Sequence, residues 1–419
     1  MNGALDRGHA VIAGAGVVGI CCALALRRRG FSVTVVDPEA PGSQTSSANA
    51  GGFGVTEVMP LSAPGLLWKV PGWLLDPLGP LTIRWRYLPQ LLPWLWRFVR
   101  AGDAARVAHQ AQALAALLKP TFDDYAPLLQ AAGVADSLIN EGALTVYRDR
   151  DAYRRDALEW DTKRALGVRC EELDGVDVHA LEPALSPDVR FGVLTPDWRN
   201  TVDPFRLVTA LAELLMREGG TLHRGRVVDA ESVDGLVRSV RLEDATRVAL
   251  DRLVVAAGVW SKPLVRRLDS LDVSLESERG YNTTLPAPGI TLRREVIFAE
   301  RKFVASPMAM GLRIGGAAEF AGLEAPPNYA RCTALLQLAQ AYFPGLRTEG
   351  GTQWMGHRPS TPDSLPVIGR SPAKANVFYA FGHGHLGLTQ AATTGRLIAE
   401  LACGEVPSID VQPFAVTRF

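Results

Sequence analysis

Apolar and polar positions mark three consecutive elements near the start of the chain. His9-Ala-Val-Ile-Ala13 is a short apolar run. A glycine-spaced turn follows, Gly14-Ala-Gly16-Val17-Val18-Gly19, and then a largely apolar segment that closes on Arg27-Arg28-Arg29-Gly30. That order predicts strand, turn and helix. Phe31 to Val36 alternates as a half-buried strand does and ends at Asp37, 23 residues beyond Gly14. Farther on, Asp203 and Pro204 predict a helix start, the apolar spacing continues to Gly219-Gly220, and strands are expected through Val227-Val228 and Leu253 to Ala257. Gln390 to Leu401 has helical spacing, so Phe381-Gly382-His383-Gly384-His385-Leu386-Gly387-Leu388-Thr389 reads as a loop entering a helix.

The glycine turn carries the first chemistry. Gly14 permits the tight turn, Gly16 lets the backbone approach a pyrophosphate, and Gly19 lets helix and strand pack closely. Val17 and Val18 open a helix whose N-terminus attracts phosphate, and the Asp37 carboxylate suits ribose hydroxyls. The loop Thr45-Ser46-Ser47-Ala48-Asn49-Ala50-Gly51-Gly52 is small, polar and glycine-ended, which suits close approach to a large planar cofactor and equally a plain solvent loop.

Composition narrows the class. With 44 Lys plus Arg against 44 Asp plus Glu, the chain has no basic footprint for nucleic acid. Its 419 residues, 47% hydrophobic, allow two globular domains. Five cysteines without a CxxC pair suggest reduced thiols and a cytoplasmic compartment, and no signal peptide or membrane span is expected. Five of nine tryptophans fall between Trp68 and Trp96 among several Arg and Lys residues. The segment suits peripheral contact with the inner face of a membrane, or a cap in which the aromatics pack. Seven prolines between 60 and 93 argue against a long amphipathic helix there.

Taken together, GAGVVG, the acidic strand end, TSSANAGG, VVAAGVWS, GHRPSTPD and FGHGHLGLT resemble the FAD-dependent D-amino-acid dehydrogenase and glycine/sarcosine oxidase family, along essentially the whole chain. The resemblance implies an α/β fold: a Rossmann-like FAD-binding domain from residues 1–60, 203–270 and 353–419, and a second α+β substrate domain on a mixed or antiparallel sheet from 61–202 and 271–352. It implies non-covalent FAD. The turn residues Gly14 to Gly19 and Asp37 would hold its phosphates and ribose, with Ser46, Ser47, Asn49, Ala50, Gly51 and Gly52 along pyrophosphate and flavin. Val227 and Val228 would meet the adenine side, Ala257, Gly258 and Trp260 the cofactor backbone, and the loop Gly382 to Thr389 the pyrimidine end.

By the same resemblance the activity is oxidation of the Cα–N bond of a D-amino acid to an imine or 2-oxo acid, by hydride transfer to flavin N5, with oxygen or a quinone as electron acceptor. Cyclic substrates of the D-proline or hydroxy-D-proline type are among the candidates. The alternatives are a secondary-amine oxidase for sarcosine- or iminodiacetate-like compounds, and a flavin-bearing subunit without catalysis. Arg358 is the first candidate for the substrate carboxylate, because its planar fork binds carboxylate through two hydrogen bonds; the plain reading is an ion pair with Asp363. Tyr281 is the second, or else a core tyrosine. His385 stands where the family's better-known dehydrogenases carry a small hydroxyl residue, and tunes substrate choice or is merely hydrogen-bonded. A metal at His383 and His385 lacks the converging ligands it needs. Met308 and Met310 lie near the place where the glycine oxidase branch has an arginine, so anchoring must differ from that branch.

Overall fold

The computed structural model describes residues 7–63, 70, 72–74, 76 and 78–419. Trp68 and Lys69 lie outside the described residues.

A six-stranded sheet takes strands from distant parts of the chain, in the order Thr221–Arg224, Ser32–Asp37, His9–Ala13, Arg252–Val255, Val377–Phe381 and Val367–Arg370. The first five run parallel and the last pairs antiparallel. Strand alternation sends Ala10 and Ile12 into one core and Val11 and Ala13 into another. The first core is closed by helices Val17–Arg28, Pro204–Arg217 and Gly387–Ala402. Two of these cross almost backbone to backbone: a Cβ on Gly395 would stand 2.6 Å from the Cys21 carbonyl oxygen. The second core is closed by helix Ser261–Asp269 and a three-stranded antiparallel sheet that begins at Val227–Val233. As the sequence predicts, Asp203 caps Pro204–Arg217 by accepting the Arg206 amide at 2.9 Å.

The second sheet has nine strands. Its working part is Thr352–Ser360, Glu276–Leu285 and Gly311–Phe320, side by side and antiparallel. Helix Ala330–Tyr342 packs on it through Leu335, Leu338 and Ala339. Two parallel pairings, Glu295–Phe298 with Ala143–Tyr147 and Gly311–Phe320 with Leu81–Ile83, make the sheet mixed.

Chain position and tertiary position part in three places. Thr352–Ser360, expected on the nucleotide side, pairs through its whole length with Glu276–Leu285. Helices Ala104–Leu118 and Thr121–Ala132, expected in the second unit, bury Leu114, Leu117, Tyr125 and Leu129 in the core of the first. An apolar pattern demands burial without naming the surface that supplies it. Lastly, the proline-rich segment does form an amphipathic helix, Leu88–Ala101. Pro89 sits in the first turn, where an amide has no partner to lose, and Pro93 forfeits a single bond.

Candidate active site

A cavity of about 1360 Å³ runs from the carboxyl ends of the parallel strands to the face of the second sheet. It exceeds the ~300–1000 Å³ usual for a drug-sized ligand, which leaves room for a dinucleotide and a substrate.

At the nucleotide end Gly14 has φ +116° and lies against the Ala256 backbone, where a side chain would collide. Gly16 faces open space, its nearest neighbour to a Cβ being Ser46 Oγ at 3.5 Å. The first amide of helix Val17–Arg28, that of Val17, donates to Ser46 Oγ at 3.1 Å. Asp37 accepts the Ala15 amide at 2.7 Å and the Glu39 amide at 2.8 Å, so it braces the glycine turn while still lining the cavity. Burial raises its carboxyl from the ordinary value against those two bonds. Val17, Val18, Val227 and Val228 complete this end.

The loop from Thr45 to Gly52 is clamped by the second sheet. Asn282 Nδ2 donates to the Ala48 carbonyl at 2.9 Å, Arg313 Nη1 to the Asn49 carbonyl at 2.6 Å, and Thr45 Oγ1 to the His357 carbonyl at 2.9 Å. Ser46, Asn49, Ala50 and Gly52 reach the cavity wall, as do Ala257, Gly258 and Trp260. Gly258, at φ +55°, has nothing within 4 Å of a built Cβ. The terminal loop contributes His383, Gly384, His385, Leu386, Gly387 and Leu388, and helix Gly387–Ala402 begins without a side-chain cap, leaving its first amides toward the cavity.

Five of the expected cofactor residues stand behind the wall. Gly19 presses on the Gly14 carbonyl, the packing role expected of the third glycine. Ser47 donates to Gln44 O at 2.9 Å, Gly51 (φ +86°) abuts the Thr201 carbonyl, and Gly382 (φ +80°) packs on Thr361. Thr389 accepts the Gly54 amide at 3.0 Å. Their contribution is to shape the loops that touch the cavity.

At the far end, Arg358 and His385 converge on Glu278. Arg358 Nη1 donates to Glu278 Oε1 at 2.9 Å, His385 Nε2 lies 2.8 Å from the same oxygen, and Ser360 Oγ donates to Oε2 at 3.0 Å. Burial by itself would raise the Glu278 carboxyl, but His385 and Arg358 outweigh it and hold it well below the carboxylate range. Asp363, the other candidate partner of Arg358, is held by Arg418 instead, at 2.8 Å. Gly280 leaves room for Arg358, because a Cβ there would displace the guanidinium from its place on Glu278. Side-chain exposure rises from 6% for Glu278 to 21% for Arg358 and 41% for His385, so the last two are what a ligand meets.

The structure gives Tyr281 and His383 other company. The Tyr281 hydroxyl donates to Glu319 Oε2 at 2.5 Å and accepts the Asn328 amide at 3.0 Å; burial foremost, then Glu319, pushes it up to about 12. Tyr281 therefore borders the cavity while its hydroxyl is spent on Glu319 and Asn328 in the interior. His383 is buried, its Nε2 lies 3.0 Å from Thr394 Oγ1, and burial pushes its pKa down to about 3, so the ring is neutral. Among the described residues no group of three or more His, Cys, Asp or Glu converges as a metal site.

Sequence reasoning missed Glu278 and Glu295. Burial pushes Glu295 up to about 7, beside Asn200, whose amide donates to it, on the cavity wall below Gly52. Glu278 and Arg279 are buried side by side in strand Glu276–Leu285, and consecutive buried ions imply specific partners, but the polar run Glu276-Ser-Glu278-Arg279 does not mark itself as buried in the sequence.

The glycine cradle, the N-terminus of helix Val17–Arg28 and the half-buried Asp37 at the dinucleotide end fit an elongated cofactor with phosphates in its middle. The comparisons agree. Residues 9–401 match the FAD dependent oxidoreductase family. A D-amino-acid oxidase of Bradyrhizobium diazoefficiens is 38% identical, over 98% of this chain and 99% of that one. A D-amino acid dehydrogenase of Rhizobium johnstonii is 31% identical, over 98% and 99%. Among solved structures, the glycine oxidase of Geobacillus kaustophilus superposes with a TM-score of 0.74 at 22% identity, over 98% of this chain and 99% of that one. The chain belongs to the FAD-dependent oxidoreductase family, and it is an oxidoreductase whose cofactor is FAD.

Proposed function

We propose that this enzyme oxidises the Cα–N bond of a D-amino acid to the imine, which water converts to the 2-oxo acid. The observation that carries the reading is the Glu278, Arg358 and His385 cluster on the cavity wall at the end away from the glycine turn. The names of the two curated relatives point to the same substrate class.

FAD, when bound, accepts the two electrons and the Cα hydrogen. The glycine turn, Asp37, the loop through Ser46 to Gly52 and the terminal loop hold it. The chain's remaining work is to grip and aim the substrate. Arg358 Nη1 is committed to Glu278 and the Ala317 carbonyl, whereas Nη2 makes one long contact, 3.5 Å to the Gly316 carbonyl, and is the atom offered to the substrate carboxylate. Glu278 fixes the guanidinium plane and, by accepting from His385 Nε2, leaves Nδ1 of that ring as a proton acceptor. His385 Nδ1 takes the proton of the substrate ammonium, giving the neutral amine that oxidation needs.

The test is anaerobic mixing of the FAD-loaded enzyme with D- and L-amino acids, sarcosine and iminodiacetate, followed by dye or air as acceptor. Bleaching of the bound FAD absorbance by D-amino acids, with much weaker responses to the other compounds, is the expected result. Faster bleaching by sarcosine or iminodiacetate would move the assignment to secondary amines, and none by any compound would leave a flavin-bearing subunit without catalysis.

A further inference from the structure

Helix Leu88–Ala101 and the residues just before it carry a feature that the cavity chemistry does not use. The inner face is firmly seated: Leu91 and Trp94 are buried, Trp94 stacks on Phe98 at 5.2 Å and donates through Nε1 to the Ser360 carbonyl at 3.2 Å. The outer face is apolar and bare. Leu88, Leu92, Trp96 and Val99 recur at helical spacing and are 39%, 55%, 64% and 37% exposed, and Trp85, just before the helix, is 76% exposed. Isolated apolar residues are ordinary on a surface; a continuous stripe with two open indoles marks a contact site.

Charge decides what the stripe contacts. Residues 77–102 contain four arginines and no Asp or Glu. Arg84 is paired with Glu319 at 3.0 Å and Arg97 bonds Ser274, whereas Arg86 and Arg100 make no ion pair among the described residues and lie over Trp85 and Trp96 at 5.1 and 5.9 Å. Indole and guanidinium side by side, flanking aliphatic positions, match the boundary of acyl chains and anionic headgroups. A second copy docking symmetrically would bring like-charged arginine patches together. The same helix lends Leu88, Leu95, Phe98 and Val99 to the cavity wall, so the stripe continues into the rim of the active site.

We propose that this face is a docking surface for an anionic lipid bilayer, with Trp85, Leu92 and Trp96 entering the headgroup boundary and Arg86 and Arg100 meeting lipid phosphates. The contact is peripheral: among the described residues no helix is long and apolar enough to cross a membrane.

The FAD-loaded enzyme is sedimented with vesicles of phosphatidylglycerol and phosphatidylcholine, and with phosphatidylcholine alone. Binding to the anionic vesicles at low salt, at least about tenfold weaker in the Arg86→Ser, Arg100→Ser double variant and also in Trp85→Ser, Trp96→Ser, is expected. None of these four side chains lines the cavity, so both variants should keep the parent's turnover with a soluble dye and its melting temperature. Failure to bind anionic vesicles, binding that neither variant weakens, or a concentration-dependent dimer that the Trp85, Trp96 variant abolishes would each overturn the proposal.

Discussion

Arg358 is both the proposed carboxylate grip and the counter-ion of a buried glutamate, and the two duties separate by substitution. Arg358→Lys keeps a positive charge against Glu278 but loses the planar fork, so bound FAD should persist while KM rises at least about tenfold in steady-state assays. Arg358→Ala strips one partner from a buried carboxylate, a change that costs on the order of 3 kcal/mol, and Glu278→Gln in the same chain should restore the melting temperature without restoring KM. His385→Asn should keep bound FAD but lose most of the rate of anaerobic FAD bleaching, because Asn cannot take up the substrate's proton. Glu295 acts on stability. Its folded pKa, about 7, lies above the ordinary value of 4.5, so the folded protein holds this proton more tightly than the unfolded chain does. The stability this adds is complete below pH 4.5 and is lost as pH rises through 7. Glu295→Gln should therefore narrow the loss of melting temperature between pH 5 and 8, by on the order of 2 kcal/mol in unfolding free energy. Equal pH dependence in parent and variant would show the carboxyl to be solvated.

Among the elements, helix Pro204–Arg217 shows how local signals settle a boundary: an aspartate cap, a proline at the first position and an apolar face that buries Leu207, Leu211 and Leu215. Asp203→Ala removes the acceptor of the Arg206 amide and should lower stability by about 1 kcal/mol, measured by urea denaturation, with FAD retained. Helix Leu88–Ala101 teaches the opposite lesson. Counting prolines argued against it, because the count ignores that a proline in a first turn costs nothing. Strand Glu276–Leu285 owes its unusual composition to its position between two others: Arg279 reaches the Gly322 and Ala325 carbonyls, Glu278 faces Arg358 and His385, and Gly280 makes room for the guanidinium.

At the scale of the whole molecule, the cavity proposed to hold FAD is lined by pieces of chain that are far apart in sequence, so the binding free energy of FAD should stabilise the fold as a unit. Removing FAD should lower the melting temperature in proportion to RT ln(1 + [FAD]/Kd), and added FAD should restore it in a concentration-dependent way; a melting temperature indifferent to FAD would place the cofactor outside the core assembly. The sequence by itself determined the βαβ unit with its glycine turn, the capped helix, the glycine-rich loop entering the last helix, and through these the cofactor class, because short-range geometry and backbone access are written in neighbouring residues. Only the tertiary structure decided that Arg358 answers to Glu278 rather than Asp363, that Tyr281 turns its hydroxyl toward Glu319, and that His383 is sealed while His385 is open. It also decided which sheet receives Thr352–Ser360. Each of these depends on which of several chemically suitable partners comes within hydrogen-bonding distance, and partners tens to hundreds of residues apart are brought together only by the packing of the two sheets.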